Sequence, residues 1–332
     1  MERIAVIGAG SWGTTAAWLA SANTEVSLWA RRPELSREIN STRQNPRYLP
    51  GCALPENLTA TDDLAVAVDG VDMVAIAVPS HGFRDVFSRV ADRISPQTPV
   101  VSLTKGIEQS TLARMSEVVM QTAPGRNPER VGVLTGPNLA REIAAQQPTA
   151  AVIAMGDVGA ARDIQTCFMS PLFRVYTNDD VVGCELGGAL KNVMAIAAGM
   201  SDGLGFGDNT RATLITRALA EVTRLGTSLG GRPSTFAGLA GMGDLIATCV
   251  STQSRNHQVG SGLAQGRTLE EIQNEMQMVA EGVKTTRAVL DLAAKQGVDV
   301  PIAQHVGKVL YQGMDPHRGM LSLMTREAKS ED

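Results

Sequence analysis

Three glycines follow the first apolar run of the chain and could bind a phosphate group. They occur as Gly8-x-Gly10-x-x-Gly13, directly after the run RIAVI. In a strand–loop–helix unit, the first glycine permits a tight turn, the second lets a pyrophosphate approach the backbone, and the third lets helix and strand pack closely. Ser11 and Trp12 would then lie at the helix N-terminus, where free N–H groups attract phosphate. The stretch therefore predicts a dinucleotide-binding loop.

Two arginines at the end of the next apolar run bear on which dinucleotide binds. The run EVSLW continues into Ala30, Arg31 and Arg32. NAD(H) sites usually carry an acidic residue about 20 residues after the loop, where it binds the ribose 2′-hydroxyl. A guanidinium suits the 2′-phosphate of NADP(H) instead, although exposed surface arginines are also common. We expect NADP(H) as the preferred cofactor, with NAD(H) as the alternative.

Two lysines are placed where an amine could act as an acid or a base. Lys105 follows the apolar run VVSLT, so we expect it in the crevice at the carboxyl ends of the strands. Lys191 and Asn192 interrupt the apolar, helix-patterned segment 184–200. A lysine in such a segment either extends to the surface or faces a cleft. The neighbouring asparagine and the glycines just before it favour the cleft.

Further polar residues that could bind a ligand lie in the second half of the chain. Asp244 comes after a glycine-rich turn, and its residue type alone predicts a helix N-cap. Ser254, Arg255 and Asn256 lie where a helix should begin. Such a group can bind an anion, but a capping serine beside a surface arginine is an equally good interpretation.

The pattern of elements that must position these residues changes near residue 182. Before it, near-continuous apolar strands alternate with helical patterns, which is typical of a parallel sheet covered on both faces. After it, Ala-, Gly-, Leu- and Met-rich segments follow the helical period. We expect an α/β fold: an N-terminal Rossmann-type, doubly wound, mostly parallel sheet at 1–182, which binds the dinucleotide, and an all-α C-terminal domain at 183–332, which carries substrate and catalytic residues. The predicted strands are 3–8, 25–30, 72–79, 99–106, 130–137, 149–155 and 173–177, and the predicted helices of the second half are 184–200, 210–229, 254–264, 268–276, 282–296 and 301–313.

Composition excludes several other functions. The 332-residue chain is 43% hydrophobic with a net charge of −4, and no basic stripe indicates nucleic-acid binding. No apolar run reaches the roughly 18 residues of a membrane span, and the first strand starts too early for a signal peptide. We therefore expect a cytoplasmic protein without membrane insertion. The scattered cysteines predict reduced thiols and no metal site; they are Cys52, Cys167, Cys184 and Cys249.

Seven ordered blocks resemble the bacterial-type NAD(P)-dependent glycerol-3-phosphate dehydrogenases over nearly the whole chain. Together they are far more specific than the glycine loop alone. The resemblance implies reversible reduction of dihydroxyacetone phosphate to sn-glycerol 3-phosphate for glycerophospholipid synthesis, and a homodimer. The blocks are GAGSWGT, NPRYLPG, SLTKGIE, GPNLAREI, GGALKNVMAIAAG, TFAGLAGMGDLIATC and SRNHQVG.

The resemblance also implies roles for single residues. Lys191 matches the family's proton donor and acceptor, and Lys105 matches a ligand of substrate and cofactor. Asn138 departs from the family's commoner Ser or Thr. The implied substrate contacts are Lys105, Gly136, Asn138, Lys191, Asp244, Ser254, Arg255 and Asn256. The cofactor positions, from the loop and the resemblance together, are Gly8, Gly10, Ser11, Trp12, Gly13, Arg31, Arg32, Lys105, Ala140, Arg255, Val279 and Glu281.

The chemistry suits a buried amine. Reduction of a ketone develops negative charge on oxygen, and a nearby ammonium can stabilise that charge and deliver the proton. Burial and Lys105 would lower the pKa of Lys191, while Asp244 would oppose that shift. A hydroxy-acid dehydrogenase with the same two-domain plan and a non-catalytic NADP-sensing protein are the alternatives. A methyltransferase fits poorly, because adenosylmethionine offers Arg31 and Arg32 no phosphate.

Overall fold

The computed structural model describes residues 1–276 and 280–327. Within them, eight strands form one sheet in the order β3-β2-β1-β4-β5-β6-β7-β8. Every neighbouring pair is parallel except β6 and β7, which are antiparallel. The predicted mostly parallel sheet is thus confirmed. The strands are β1 (Arg3–Ile7), β2 (Glu25–Trp29), β3 (Leu58–Thr61), β4 (Met73–Ile76), β5 (Val100–Ser102), β6 (Val131–Thr135), β7 (Thr149–Ala154) and β8 (Phe173–Asn178).

Helices cover both faces of this sheet and form the second half of the chain. The six helices predicted after residue 182 are all present, and α10, α11 and α16 are additional. A π-helical turn at Leu239–Gly243 leads directly into α11. The helices are α1 (Ser11–Ala20), α2 (Pro33–Thr42), α3 (Leu64–Ala67), α4 (Ser80–Ser88), α5 (Met115–Thr122), α6 (Ala140–Ala144), α7 (Val158–Phe168), α8 (Val181–Gly203), α9 (Asp208–Ser228), α10 (Pro233–Phe236), α11 (Asp244–Val250), α12 (Arg255–Ala264), α13 (Leu269–Glu275), α14 (Glu281–Gln296), α15 (Pro301–Gln312) and α16 (Pro316–Met324).

β1 shows why the sheet is covered on both sides. Its successive side chains point to opposite faces. Ile4 and Val6 belong to one hydrophobic core, while Ala5 and Ile7 belong to another. Both sets are fully buried, so the run is apolar at every position rather than alternating.

The sheet register brings three loops to one edge. Ile7 at the end of β1 pairs with Trp29 of β2 on one side and Ile76 of β4 on the other. The glycine loop after β1, the arginines after β2 and the start of α4 after β4 therefore meet at the carboxyl edge. This edge is where open α/β sheets bind ligands.

α8 is the central helix of the second half. Its 23 residues are long and apolar enough to span a membrane, so the expectation that no segment reaches that length is wrong. The apolar window is 89% buried inside the protein, and packing accounts for its composition. α12 crosses α8 closely, because a Cβ on Gly199 would overlap the His257 carbonyl and one on Gly260 would overlap the Ile196 carbonyl.

The junction between the halves is short. β8 ends at Asn178 and α8 begins at Val181. The predicted boundary between residues 182 and 183 therefore falls in the first turn of α8, and this boundary stays a prediction. The four cysteines are buried and free.

Candidate active site

Lys191 is buried in the interior of α8 and points into a cleft between elements, as expected. Its side chain is 6% exposed. The ammonium lies 2.7 Å from Asp244 Oδ1 and donates a hydrogen bond to Thr248 Oγ1. The Thr248 hydroxyl in turn donates to the Asp244 carbonyl oxygen at 2.7 Å. Lys191 therefore does not extend to the surface.

Asp244 binds two ammonium groups with one carboxylate. Oδ1 faces Lys191, and Oδ2 lies 2.7 Å from Lys105 Nζ. The side chain is 2% exposed. The predicted N-cap role is wrong: Gly243 occupies that position, and Asp244 is the first residue of α11. A carboxylate at this depth requires paired charge, and the two lysines supply it.

Lys105 comes from the loop after β5 and completes the cluster. Its ammonium also donates to the Gly136 carbonyl oxygen at 2.7 Å. Burial and the neighbouring Lys191 lower the pKa of Lys105 while Asp244 raises it, and the net pKa is about 8. Gly188 of α8 makes room for this arrangement, since a Cβ there would lie 2.9 Å from Thr135 Oγ1 and 3.5 Å from Lys105 Cγ. The glycines before Lys191 thus clear space for its neighbours.

The start of α12 combines a cap with a buried amide pair. Ser254 accepts a hydrogen bond from the His257 N–H, so its capping role is confirmed. Asn256 Nδ2 donates to Asn192 Oδ1 at 3.0 Å, and Asn256 Oδ1 accepts from the Gly282 N–H at 2.9 Å. Asn192 Nδ2 donates to the Lys105 carbonyl at 3.1 Å. These side chains position the lysine loop, while Arg255 begins the helix with an exposed side chain.

The glycine loop has the shape that a dinucleotide requires. Gly8 has φ +121°, and a Cβ there would lie 2.6 Å from the Ala77 carbonyl oxygen. A Cβ on Gly13 would overlap the Gly8 carbonyl, but one on Gly10 would meet nothing within 4 Å. The open space at Gly10 lies before α1, whose N-terminus has no side-chain cap. Trp12 Nε1 is buried without a partner in the described residues.

The remaining predicted residues lie around the same edge. Arg31 is exposed and Arg32 is half-buried at the N-cap of α2. The Glu281 carboxylate accepts from the Ser80 N–H at 3.1 Å and the Ser80 hydroxyl at 2.6 Å. Val279 lies outside the described residues.

Gly136 and its neighbours form a second turn beside the lysines. Gly136 has φ +130°, which favours glycine. Both amide atoms of Asn138 are buried and lack a hydrogen-bond partner among the described residues. Ala140 is the first residue of α6. An unpaired buried amide is costly, so Asn138 is suited to bind a polar ligand.

Sequence reasoning missed Thr248 and the contact of Ser80 with Glu281. Thr248 had a usable signal, because it lies four residues after Asp244 and so on the same face of a helix. The Ser80 contact had none, because its partner is 201 residues away. In the described part of the chain, no group of three or more His, Cys, Asp or Glu side chains could hold a metal ion.

Comparison with known proteins gives one family for both halves. Residues 3–161 match the family model described as NAD-dependent glycerol-3-phosphate dehydrogenase N-terminus, and residues 180–320 match its C-terminus. The glycerol-3-phosphate dehydrogenase (NAD(P)+) of Geobacter sp. (strain M21) is 53% identical over 331 residues, 99% of each chain. That of Streptomyces coelicolor is 51% identical over 99% of this chain and 98% of its own. A crystal structure of glycerol-3-phosphate dehydrogenase from Coxiella burnetii has a TM-score of 0.92 and 39% identity, covering 98% of this chain and 99% of that one.

Proposed function

The chain belongs to the NAD-dependent glycerol-3-phosphate dehydrogenase family, and on that premise we propose that it reduces dihydroxyacetone phosphate to sn-glycerol 3-phosphate with Lys191 as the proton donor. The reverse reaction uses the same amine as the proton acceptor. One observation carries this proposal: Lys191 and Lys105 are both held on the buried carboxylate of Asp244. With both lysines protonated, the three groups sum to a charge of +1, which suits an oxygen that becomes negative.

The hydrogen bonds of each ammonium leave a donor for the substrate. An ammonium has three N–H donors. Lys191 uses two on Asp244 and Thr248, and Lys105 uses two on Asp244 and Gly136. One donor on each remains without a partner among the described residues. Two donors fixed before reaction can stabilise the developing oxyanion without reorganising, and Lys191 then transfers its proton to that oxygen.

The residues of the glycine loop fit a nicotinamide dinucleotide. Gly10 leaves open space before the uncapped N-terminus of α1, and the orphaned Trp12 Nε1 is a buried donor. The cofactor would also contact the other loop positions, which are Gly8, Ser11 and Gly13. When bound, the cofactor supplies the hydride. We propose Arg31 and Arg32 as contacts to a 2′-phosphate, because no acidic side chain ends β2, and hence NADP(H) as the preferred form.

We assign the phosphate of the substrate to the start of α12. Arg255 is the first residue of that helix, where backbone N–H groups and the helix dipole favour an anion. We expect Arg255→Ala to raise the KM for dihydroxyacetone phosphate by at least about ten-fold, which corresponds to about 1.4 kcal/mol, with a smaller change in kcat. Steady-state kinetics would show it. An unchanged KM would place the anchor elsewhere.

The reaction is tested by following NADPH or NADH absorbance with two substrates. We expect oxidation with dihydroxyacetone phosphate and at least about 100-fold lower kcat/KM with plain dihydroxyacetone, which lacks the phosphate. Equal use of both substrates would favour a different dehydrogenase. Cofactor binding without substrate-dependent oxidation would indicate an NADP-sensing protein.

Three organisational proposals rest on different grounds: the homodimer on the family resemblance, the location on composition, and the domain bounds on the change of sequence pattern near residue 182. We propose a homodimer in the cytoplasm, with a dinucleotide-binding domain at 1–182 and a helical domain at 183–332. Light scattering of the purified chain tests the dimer. A mass corresponding to one 35.0-kDa chain would contradict it.

A further inference from the structure

Two basic side chains outside the predicted cofactor set, His81 and Lys284, lie near the predicted cofactor residue Arg31 at the carboxyl edge of the sheet. His81 is the second residue of α4, directly after β4, and Lys284 is the fourth residue of α14. Arg31 follows β2 at the same edge. β1, with the glycine loop at its end, separates β2 from β4 in the sheet. The three side chains thus come from three segments around one loop.

The contact between Glu281 and Ser80 fixes the start of α14 against the start of α4. Both carboxylate oxygens of Glu281 are used, at 3.1 Å from the Ser80 N–H and 2.6 Å from its hydroxyl. Gln109 Nε2 also donates to the Lys284 carbonyl at 2.9 Å. His81 adjoins Ser80, and Lys284 lies three residues after Glu281, so these bonds keep His81 and Lys284 near each other.

The pKa of His81 responds to charges on the neighbouring segments. Burial lowers the pKa of His81. The positive charges of Lys284 and Arg31 lower this pKa further, and the negative charge of Glu281 raises it. Both cations are therefore close enough to influence the imidazole. Arg114 and Arg232 are paired with carboxylates, whereas neither Arg31 nor Lys284 forms an ion pair with any described residue.

We propose that His81 and Lys284, together with Arg31, form the binding site for the adenosine 2′-phosphate of NADP(H). The helical half of the chain would then help to choose the cofactor, through a lysine held in place by the Glu281–Ser80 contact. A phosphate dianion is attracted to two cations that have no carboxylate partner among residues 1–276 and 280–327, and an imidazole can donate a further hydrogen bond. The inference rests on the proposed preference for NADP(H).

Two nucleotides that differ by the 2′-phosphate provide the test. Adenosine 2′,5′-bisphosphate and adenosine 5′-monophosphate are compared as competitive inhibitors against the reduced cofactor. In Lys284→Gln, we expect the inhibition constant of the bisphosphate to rise about ten-fold while that of the monophosphate changes less than about two-fold. Lys284→Arg should keep most of the difference between the inhibition constants of the two nucleotides. His81→Asn should reduce this difference, but by less than Lys284→Gln does.

Lys295→Gln is the matched control, because Lys295 lies in the last turn of the same helix and is exposed. It should leave both inhibition constants unchanged. If the wild-type protein prefers the bisphosphate but Lys284→Gln weakens both nucleotides equally or neither, this inference alone is overturned. If the wild type does not prefer the bisphosphate, the proposed NADP(H) preference falls and this inference with it, whereas reduction of dihydroxyacetone phosphate by NADH would still stand.

Discussion

At the scale of single residues, one carboxylate organises the site. Asp244 is buried with a lysine on each oxygen, and each lysine keeps one N–H donor that has no partner in the described part of the chain. A single carboxylate cannot neutralise two ammonium groups in a buried cluster. Burial, together with the second ammonium, lowers the pKa of Lys105 to about 8, close to the range in which enzymes work.

This pKa predicts the pH dependence of the reaction. Lys105 is charged below about pH 8 and loses its charge as the pH rises through that value. We expect kcat/KM for dihydroxyacetone phosphate to be level below this pH and to fall about ten-fold per pH unit above it. Lys105→Arg should lower activity but move the fall to higher pH, because a guanidinium stays charged. A wild-type profile that stays level to about pH 10 would contradict this role.

Sequence alone could identify the lysines but not their connection. Lys191 was conspicuous because a charged residue interrupts an apolar helix, and Lys105 because it follows a core strand. Asp244 resembled an ordinary cap, since its partner Lys105 is 139 residues away. Asn256 was predicted as a substrate contact, which stays a prediction, and its side chain bonds Asn192 and Gly282. Long-range partners leave no local signal at either residue.

At the scale of elements, the glycines of the loop divide into two kinds. Gly8 is required by the fold, because of its φ of +121° and the nearby Ala77 carbonyl. Gly10 has an ordinary φ of −74° and open space around it. The same spacing motif thus contains one position that the fold requires and one that we propose serves cofactor binding.

Substituting each glycine with alanine should separate these roles. We expect Gly8→Ala to destabilise the protein by about 2–4 kcal/mol. Gly10→Ala should change the free energy of unfolding by less than about 0.5 kcal/mol and still raise the KM for the reduced cofactor at least about ten-fold. Denaturant unfolding and steady-state kinetics measure the two effects. Equal stability losses in both variants would contradict the division.

A second element-scale prediction concerns the cap of α15. Glu221 of α9 is 2% exposed and accepts the N–H groups of Ile302 and Ala303 at 2.8 and 2.9 Å. Burial raises the pKa of Glu221 from its ordinary 4.5 to about 7. The native state therefore binds more protons than the unfolded state between these values, and this contribution to stability is lost as the pH rises through about 7.

We expect Glu221→Gln to lower the free energy of unfolding by about 1–3 kcal/mol at pH 5, because the amide NH2 that replaces one carboxyl oxygen cannot accept the N–H group bound there. Its stability should also fall less steeply than the wild type's between pH 5 and pH 7.5. Denaturant unfolding at several pH values measures both. Parallel pH dependences in the two proteins would show that Glu221 does not titrate in this range.

The elements themselves were largely predictable, and the exceptions were short or irregular. β3 was missed because LTAT is four residues long and not continuously apolar. The glycine-rich turn before Asp244 was recognised, but its π-helical form at Leu239–Gly243 was not, because glycine spacing does not specify that geometry. The reversed direction of β7 relative to β6 depends on the connection between them, which residue patterns do not encode.

At the scale of the whole molecule, the site is shared between the two halves. Lys105 lies in the loop after strand β5 of the sheet, while Lys191 lies in α8 and Asp244 in α11. Buried contacts join the halves near it: Glu185 of α8 accepts from Arg114 Nη1 at 2.7 Å and from the Ser116 N–H at 2.8 Å. The lysine–aspartate cluster therefore draws residues from both sides of the predicted division at residue 182, and that division stays a prediction.

The most direct test of this account is the kcat of Lys191→Ala, measured with saturating dihydroxyacetone phosphate and reduced cofactor. Lys295→Ala, at an exposed position on α14, is the control. We predict that kcat falls at least about 100-fold in Lys191→Ala, that the dissociation constant of the reduced cofactor changes less than about two-fold, and that the control behaves as wild type. A kcat close to the wild-type value in Lys191→Ala would show that this amine does not transfer the proton.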